Sequence, residues 1–527
     1  MRTLAGTGHL LRLALRIDRL RLPVWVAVLA LMPVGTAAQY QQLYPTDESL
    51  RIVSGVVSNP SLVALNGPLF GLSIGSLTAW KIGITELVLV ALMSVLTVVR
   101  HTRAEEESGR AELLGATVVG RAAPVTAALL TVAIANAAIA LLVAATLAGL
   151  GLPAAGALAT GLAIGAAGLC FGAAAAVAAQ FTRSARAATG IGLGVLGAAY
   201  LLRALGDTGP VALSWASPVG WALRMRPFAG ERWWVLALFA LATAACVTAA
   251  YVLLGRRDLA AGLLPERPGP AAAAPALAGP FALAWRLHRG ILLGWVVAMA
   301  LAGAVFGGAA SSITDNLDAN QNLVDMLSRL GGTDGILNGY LAAIFGITGL
   351  TVAAYSVQAT LRLRAEETGG RLEALLATRT GRSRWLLSHL LIALLGTALL
   401  LAVAGAAAGV AYGAQVHDVG GQVPRMLADA LVQLPAAWVL AGLGTALFGL
   451  APRLTALTWA ALVACVMVLE LGALLGLSQW VLDLSPFAHV PHLPGDPFTA
   501  TPLLWLLAVA AALVAGGLAG FRRRDIG

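Results

Sequence analysis

Lysine is almost missing from this 527-residue chain, whose single lysine is Lys81. A phosphate-binding loop of the form G-x-x-x-x-G-K-[ST] needs a lysine to reach the β- and γ-phosphates. Lys81 stands in Ala-Trp-Lys-Ile with no glycine loop before it, and the chain also lacks H-E-x-x-H and Cys-x-x-Cys motifs. We therefore expect no ATPase, no other catalytic residue and no metal centre in this chain.

Charge is also scarce, because only 11% of the residues are charged and 59% are apolar. A soluble domain carries roughly 25% charged residues, and the mean hydropathy here is +0.84. The net charge of +9 is spread over short loops, which argues against nucleic-acid binding. The three cysteines lie inside apolar segments, so buried thiols are favoured over disulfides or metal ligands. Composition predicts an all-α polytopic membrane protein.

About 20 apolar residues cross the hydrocarbon core of a bilayer, and the chain offers twelve such runs in two tandem sets of six. We predict a first half at 1–262, a Pro/Ala-rich linker at 263–280 and a second half at 281–527. An amphipathic interfacial helix opens each half, at 10–22 and 281–292. The predicted spans are 23–40, 80–100, 122–149, 154–181, 187–206 and 232–254, then 291–310, 341–361, 385–413, 427–451, 455–477 and 502–521.

Most of the basic residues fall on one side of this arrangement, which predicts that both termini are cytoplasmic in a bacterial plasma membrane. No cleavable signal peptide is evident. Arg224, Arg226 and Arg232 run against the rule, because they fall on the predicted outer side. A short surface helix is expected within the outer loop, at 317–329.

Two charged segments dominate the predicted cytoplasmic side, and the second repeats the first. RAEEESGRAELL at 103–114, the first island, returns as RAEETGGRLEAL at 364–375, the second island, with eight of twelve positions identical. A charged run is usually just a solvated loop. Two loops that only needed water would have no reason to share a Glu-Glu-x-x-Gly-Arg-x-Glu order, whereas a common partner surface met twice would supply one.

Several further features leave two interpretations open. Gly161, Gly165, Gly168 and Gly172 form a ridge along the fourth span, which suits static close packing or a sliding interface. Ser-Pro turns precede the last span of each half, at 217–218 and 485–486, as plain turns or as gating bends. His489, His492 and Asp496 could hold a metal but suit a solvated turn better.

Two acidic residues fall inside predicted spans, Glu86 in the second and Glu470 in the eleventh. Charges in the bilayer are costly and usually functional. Each could line a substrate path or carry a proton, or could be a buried structural group. A Lys81–Glu86 contact at i and i+5 is geometrically marginal on one helix.

These features together resemble the type-2 ABC exporter permeases: an interfacial helix opening each half, a Glu-rich turn between the second and third spans, and a Ser-Pro bend before the last. The chain is most similar to the actinobacterial branch described as exporters of polyketide antibiotics, in which two halves are fused. The resemblance implies that each Glu-rich turn is a coupling helix docking on one subunit of a separate ATPase, which binds ATP and Mg. By position, the docking residues are Glu105, Glu106, Gly109, Arg110 and Glu112 in the first island, and Glu366, Glu367, Gly370, Arg371 and Glu373 in the second. The family more often has a small hydroxyl residue where Arg110 and Arg371 stand.

The resemblance further implies export of a hydrophobic or amphipathic compound by alternating access. An ion-coupled secondary transporter that uses Glu86 or Glu470 is the main alternative. A membrane enzyme acting on lipid would need a nucleophile or metal cluster, which the sequence does not suggest.

Overall fold

The computed structural model describes residues 3–46, 49–51, 60–258, 261–263, 272, 274, 277, 279–318, 333–471, 478–491, 493–494 and 498–525, and within them it is helical without strands. The chain divides into two compact units, Met1–Pro268 and Gly269–Gly527. The helices of the first unit are α1 (Thr7–Ile17), α2 (Arg21–Leu43), α3 (Pro60–Asn66), α4 (Ile74–His101), α5 (Arg103–Glu107), α6 (Arg110–Gly115), α7 (Ala123–Gly149), α8 (Ala154–Phe181), α9 (Ala185–Thr208), α10 (Val211–Trp215), α11 (Pro218–Arg224) and α12 (Val235–Arg256). The helices of the second unit are α13 (Pro280–Asp318), α14 (Thr333–Thr368), α15 (Arg371–Leu376), α16 (Arg382–Gln415), α17 (Val419–Leu431), α18 (Leu434–Leu450), α19 (Leu457–Leu471), α20 (Gln479–Leu482) and α21 (Ala500–Arg523).

Eleven helical segments in the described part of the chain are long and apolar enough to cross a membrane. They cover eleven of the twelve predicted spans, so the all-α polytopic fold is confirmed. The remaining predicted span, 455–477, contains the shorter helix α19, and residues 472–477 lie outside the described part. The surface helix predicted at 317–329 also falls mainly on residues that are not described.

The most buried helix of the first unit is α8, which packs against α4, α7, α9 and α12. Its predicted glycine ridge faces α7. A Cβ added at Gly165 would lie 2.9 Å from the carbonyl oxygen of Asn136, and Gly161 and Gly168 approach α7 more closely still. Asn136 also donates a 3.0 Å hydrogen bond from Nδ2 to Ser94 Oγ on α4. The ridge therefore lets α8 approach the backbone of α7, as small residues do in lipid, and Asn136 adds a side-chain hydrogen bond to α4.

The two halves begin differently. In the first unit the interfacial helix α1 ends at Ile17, and a break separates it from α2. Asp18, in the break, is buried and accepts 2.5 Å contacts from Arg100 and His101 at the end of α4. In the second unit the predicted interfacial helix runs without a break into the first span as α13. His288 holds the place of Asp18 there, and its Nε2 lies 3.0 Å from His389 Nδ1.

Backbone contact also organises the second unit. Gly303 and Gly307 of α13 face Ala404 and Ala408 of α16, and α18 meets α21 through glycines in the same way. At the end of this unit that carries the second island, Trp385, Phe448 and Phe521 form an aromatic cluster with ring centroids 5.2 to 6.2 Å apart.

The ridge predicts that a larger side chain destabilises the protein where it replaces a glycine of α8 that contacts α7. Gly168→Val should overpack the contact between α7 and α8, because the new side chain meets Asn136. The free energy of unfolding should fall by about 2 kcal/mol or more, which lowers the thermal unfolding midpoint. Gly194→Val in α9 is the matched control, since a Cβ there meets nothing within 4 Å. Both variants insert the same residue into a helix, so equal midpoints in purified protein would contradict the packing role of the ridge.

Candidate coupling site on the two islands

Each island is a sharp turn between a preceding helix and a short following one. In the first island Gly109 separates α5 from α6 with φ of 74°. In the second, Gly370 separates α14 from α15 with φ of 68°. These angles lie in the left-handed region, which glycine enters without the steric cost that a Cβ imposes. The left-handed backbone of each turn therefore favours the glycine that the two islands share.

An arginine after each glycine closes the turn on a glutamate. Arg110 donates from Nε and Nη2 to the two carboxylate oxygens of Glu105, at 2.7 and 2.9 Å. Arg371 does the same to Glu366, at 2.7 and 3.3 Å. The hydrogen bond to Glu105, followed by the charge of that carboxylate, raises the pKa of Arg110. The arginine that departs from the family pattern thus has a structural task in both halves.

The second glutamate of the first island faces inward. Glu106 accepts from Arg103 at 2.8 Å and from Arg257 at 2.6 and 2.8 Å. Arg257, which follows the last helix of the unit, also donates to Gln180 Oε1 at 2.7 Å. Arg103 is fully buried and donates to the carbonyl oxygen of Ala179 near the end of α8. The island is thereby tied to α8 and α12.

The second island repeats this arrangement. Glu367 accepts from Arg364 at 2.8 Å and from Arg524 at 2.6 Å. Arg524 follows the last helix of its unit, as Arg257 does, and its guanidinium carbon lies 5.0 Å above Phe448 and 5.6 Å above Phe521. We call each Glu106–Arg257 and Glu367–Arg524 contact the brace of its half.

Sequence reasoning missed the two brace arginines. They looked like ordinary basic residues at the ends of spans. A usable signal exists in the repeated Arg-Arg-Asp at 256–258 and 523–525, which places each brace arginine at the same point of its half.

The predicted docking residues of the two islands differ in exposure. Glu106 and Glu367 are inside the braces, and Glu366 is buried. The outward side chains of the predicted docking residues are Arg110, Glu112, Arg371 and Glu373. Beside Glu112, Leu113 is 74% exposed, which leaves an apolar group next to the charges.

Of the two acidic residues predicted within spans, the structure describes the side chain of Glu86 and not that of Glu470. Glu86 is completely buried, and neither carboxylate oxygen has a hydrogen-bond partner among the described residues. Lys81 is exposed and forms no ion pair with it. Glu470 belongs to α19, but its side chain lies outside the described part of the chain.

The other candidate residues do not come together as a site in the described part of the chain. His489 Nε2 contacts the carbonyl oxygen of Asp483 at 2.8 Å, while His492 and Asp496 lie outside the described residues. Residues 71–75 spell G-x-S-x-G, the nucleophile pattern of hydrolases. Its serine, Ser73, instead caps α4 by accepting from the backbone N–H of Ser76 at 3.1 Å. Over the described ranges, no three metal-ligating side chains come together.

Comparison with known proteins agrees with this architecture. Residues 277–522 match the family model described as "Multidrug efflux system permease Rv1217c, C-terminal domain". Over 526 residues the chain is 48% identical to the multidrug efflux system permease protein Rv1217c of Mycobacterium tuberculosis, covering 99% of this chain and 95% of the relative. Each half carries a set of spans and one island, and the 48% identity extends over nearly the full length. The chain therefore belongs to the Rv1217c family of multidrug efflux permeases, among the ABC exporter permeases.

Proposed function

We propose that this permease works with a separate ATPase dimer, which binds ATP and Mg and docks one subunit on each island. Both islands and both termini would then be cytoplasmic. Docking would use the outward residues Arg110 and Glu112 in one half, and Arg371 and Glu373 in the other. ATP-driven closure of the dimer would switch the two halves between inward-facing and outward-facing states.

The observation that carries this proposal is the duplicated geometry of the islands. The left-handed glycine, the closing arginine and the brace recur at equivalent positions in both halves, with matching distances. An ion pair on a solvated surface contributes little stability on its own. Solvation alone therefore gives no reason to keep the same turn twice, whereas two equal docking subunits do.

The braces supply a physical route from the islands into the membrane. A push on the first island would reach α12 through Arg257 and α8 through Arg103. A push on the second would reach α21 through Arg524. Charge-assisted hydrogen bonds are shorter and stronger than neutral ones, so they hold the groups that they join close together. We propose that the braces couple island movement to the last span of each half.

The cargo that suits this membrane region is hydrophobic or amphipathic. The described spans present mainly alanine, leucine, valine and glycine, with few charges. Small-molecule sites are mostly apolar with a few placed polar groups. This agrees with the multidrug efflux described for the relative.

Charge reversal at the outward glutamates tests docking. The double variant Glu112→Arg and Glu373→Arg should abolish drug export and co-purification of the ATPase, because both side chains are exposed and replaced by the opposite charge. Gel filtration of the double variant should give an unchanged elution profile. Glu231→Arg, at the end of the first unit opposite its island, is the control. Normal export by the double variant would rule out docking at these residues.

The braces predict a difference between adjacent arginines. Arg257→Gln and Arg524→Gln should each destabilise the protein by about 2 kcal/mol, because a largely buried glutamate loses one of its two arginine partners. Arg256→Gln and Arg523→Gln remove neighbouring exposed arginines and should change the unfolding midpoint little.

A second readout separates the brace from simple stability. The double variant of Glu106→Gln with Arg257→Gln should lose less stability than the sum of the two single variants, since both changes remove the same contact. We expect ATPase activity without export in that double variant. Full export would show that the brace does not transmit movement.

A second candidate function is ion-coupled transport through Glu86, because a buried carboxyl without a partner suits a proton carrier. Glu86→Gln keeps the size of the side chain and removes its titration. If ATP drives transport, export by this variant should continue and should survive collapse of the proton gradient. Export that stops in both cases would favour the ion-coupled alternative.

A further inference from the structure

A cavity lies in the first unit at the end opposite its island, between the N-terminal ends of α4 and α8 and the turn that follows α11. Its enclosed part is about 50 Å³, enough for one compact polar group and far below the roughly 300 Å³ of a drug pocket. Most of its wall is apolar. Residues that define it include Phe70, Trp80, Ile164, Leu223 and Arg226.

The turn that brings Arg226 to this cavity is strained. Arg226 and Phe228 both have positive φ, 52° and 59°, which side chains with a Cβ rarely adopt. The turn is held in place because the Phe228 ring packs where α4 and α8 have glycines, Gly75 and Gly156. Ser76 Oγ also donates a 3.1 Å hydrogen bond to the carbonyl oxygen of Phe228. Strain that surrounding structure maintains is a reason to look for function at the residue it presents.

Arg226 has no counter-charge in the described part of the chain. Its neighbour Arg224 pairs with Asp207 at 2.8 Å. The Arg226 guanidinium instead lies 4.6 Å above the ring of Phe70, and its Nε is buried without a hydrogen-bond partner among the described residues. Burial, then the positive charges of Arg232 and Arg224, lower the pKa of Arg226. An anion beside this guanidinium would offset the repulsion from the two arginines and accept a hydrogen bond from it.

The other polar groups of the wall are already occupied. Trp80 Nε1 donates to the carbonyl oxygen of Gly67 at 2.7 Å. Thr160 Oγ1 donates to the carbonyl oxygen of Gly156 at 2.8 Å. Among the described residues that line the cavity, Arg226 therefore supplies the available hydrogen-bond donors.

The sequence of the second half does not repeat this arginine. Arg226 precedes a Pro-Phe pair, and the corresponding pair of the second half, 497–498, is preceded by Asp496. A basic residue common to both halves would suggest a general role in the fold. An arginine in one half, against an acidic residue in the other, indicates a task specific to the first.

We propose that this cavity binds the acidic head group, a carboxylate or a phosphate, of an amphipathic molecule, with Arg226 as its charge partner. The apolar remainder of the molecule would lie along the α4 wall, whose lining residues from Ser76 to Leu87 extend about 16 Å. The occupant is either an anionic lipid or an anionic export substrate. The site is independent of the ATPase docking proposed above.

Binding of a dansyl-labelled undecanoic acid and of its methyl ester to the purified full-length chain tests the proposal. In phosphatidylcholine nanodiscs the native chain should bind the acid about tenfold more tightly than the ester. Arg226→Gln should abolish that preference, and Arg232→Gln, which removes a nearby charge outside the cavity wall, should keep it. Both variants are compared after gel filtration and thermal unfolding.

A cavity-filling variant gives an independent test. Gly83→Leu projects from the α4 wall, where an added Cβ comes no closer than 3.9 Å to Leu223, so the fold has room for the change. It should weaken both acid and ester binding while leaving every arginine intact. Unchanged binding in Gly83→Leu, or an acid preference that survives Arg226→Gln, overturns the proposal, as does equal loss in Arg232→Gln.

Nanodiscs of phosphatidylglycerol distinguish the two sources of the head group. If the occupant is a lipid, the native chain should lose the bound acid in phosphatidylglycerol nanodiscs and keep it in phosphatidylcholine nanodiscs. Binding that persists in phosphatidylglycerol identifies a soluble anionic amphiphile. Both results support a head-group site at Arg226, provided that the arginine variant removes the preference.

Discussion

A carboxylate–guanidinium contact ties each charged island to the last helix of its own half. Burying such a pair is costly unless the remaining donors and acceptors are satisfied. In the first half Arg257 meets this condition through Gln180. In the second, Arg524 stacks on two phenylalanine rings, and its Nε has no hydrogen-bond partner among the described residues. The position of each island therefore depends on the end of a distant helix. Each island and the last span of its half are held together by a specific side-chain contact.

Sequence patterns were sufficient for features set by local chemistry. The spans follow from runs of apolar residues, and the bend of each island follows from Gly109 and Gly370. The inward orientation of Glu106 and Glu367 could not be predicted, because their partners lie 151 and 157 residues away. The continuous α13 was also missed, since its helical pattern matches that of α1, while the break at Asp18 depends on contacts with α4.

Apolar composition conceals where polar groups matter in this molecule. Asn136 and the glycine ridge join three helices by a hydrogen bond and close backbone contact, without any charge. Glu86 lies buried without a described partner, and Arg226 is presented by a strained turn. In a bilayer each unpaired polar group carries a larger free-energy cost than in water. The few exceptions to the apolar pattern are therefore more informative about function than the pattern itself.

The two halves have kept their islands and braces but have changed elsewhere. Asp18 contacts Arg100 and His101, whereas His288 in the second half contacts His389. In an exporter assembled from two identical subunits, every mutation appears on both sides of the symmetry axis. Joining the halves in one gene removes that restriction. Substitutions can then change the polar contacts of one half while the other half keeps its own, as the different partners of Asp18 and His288 illustrate.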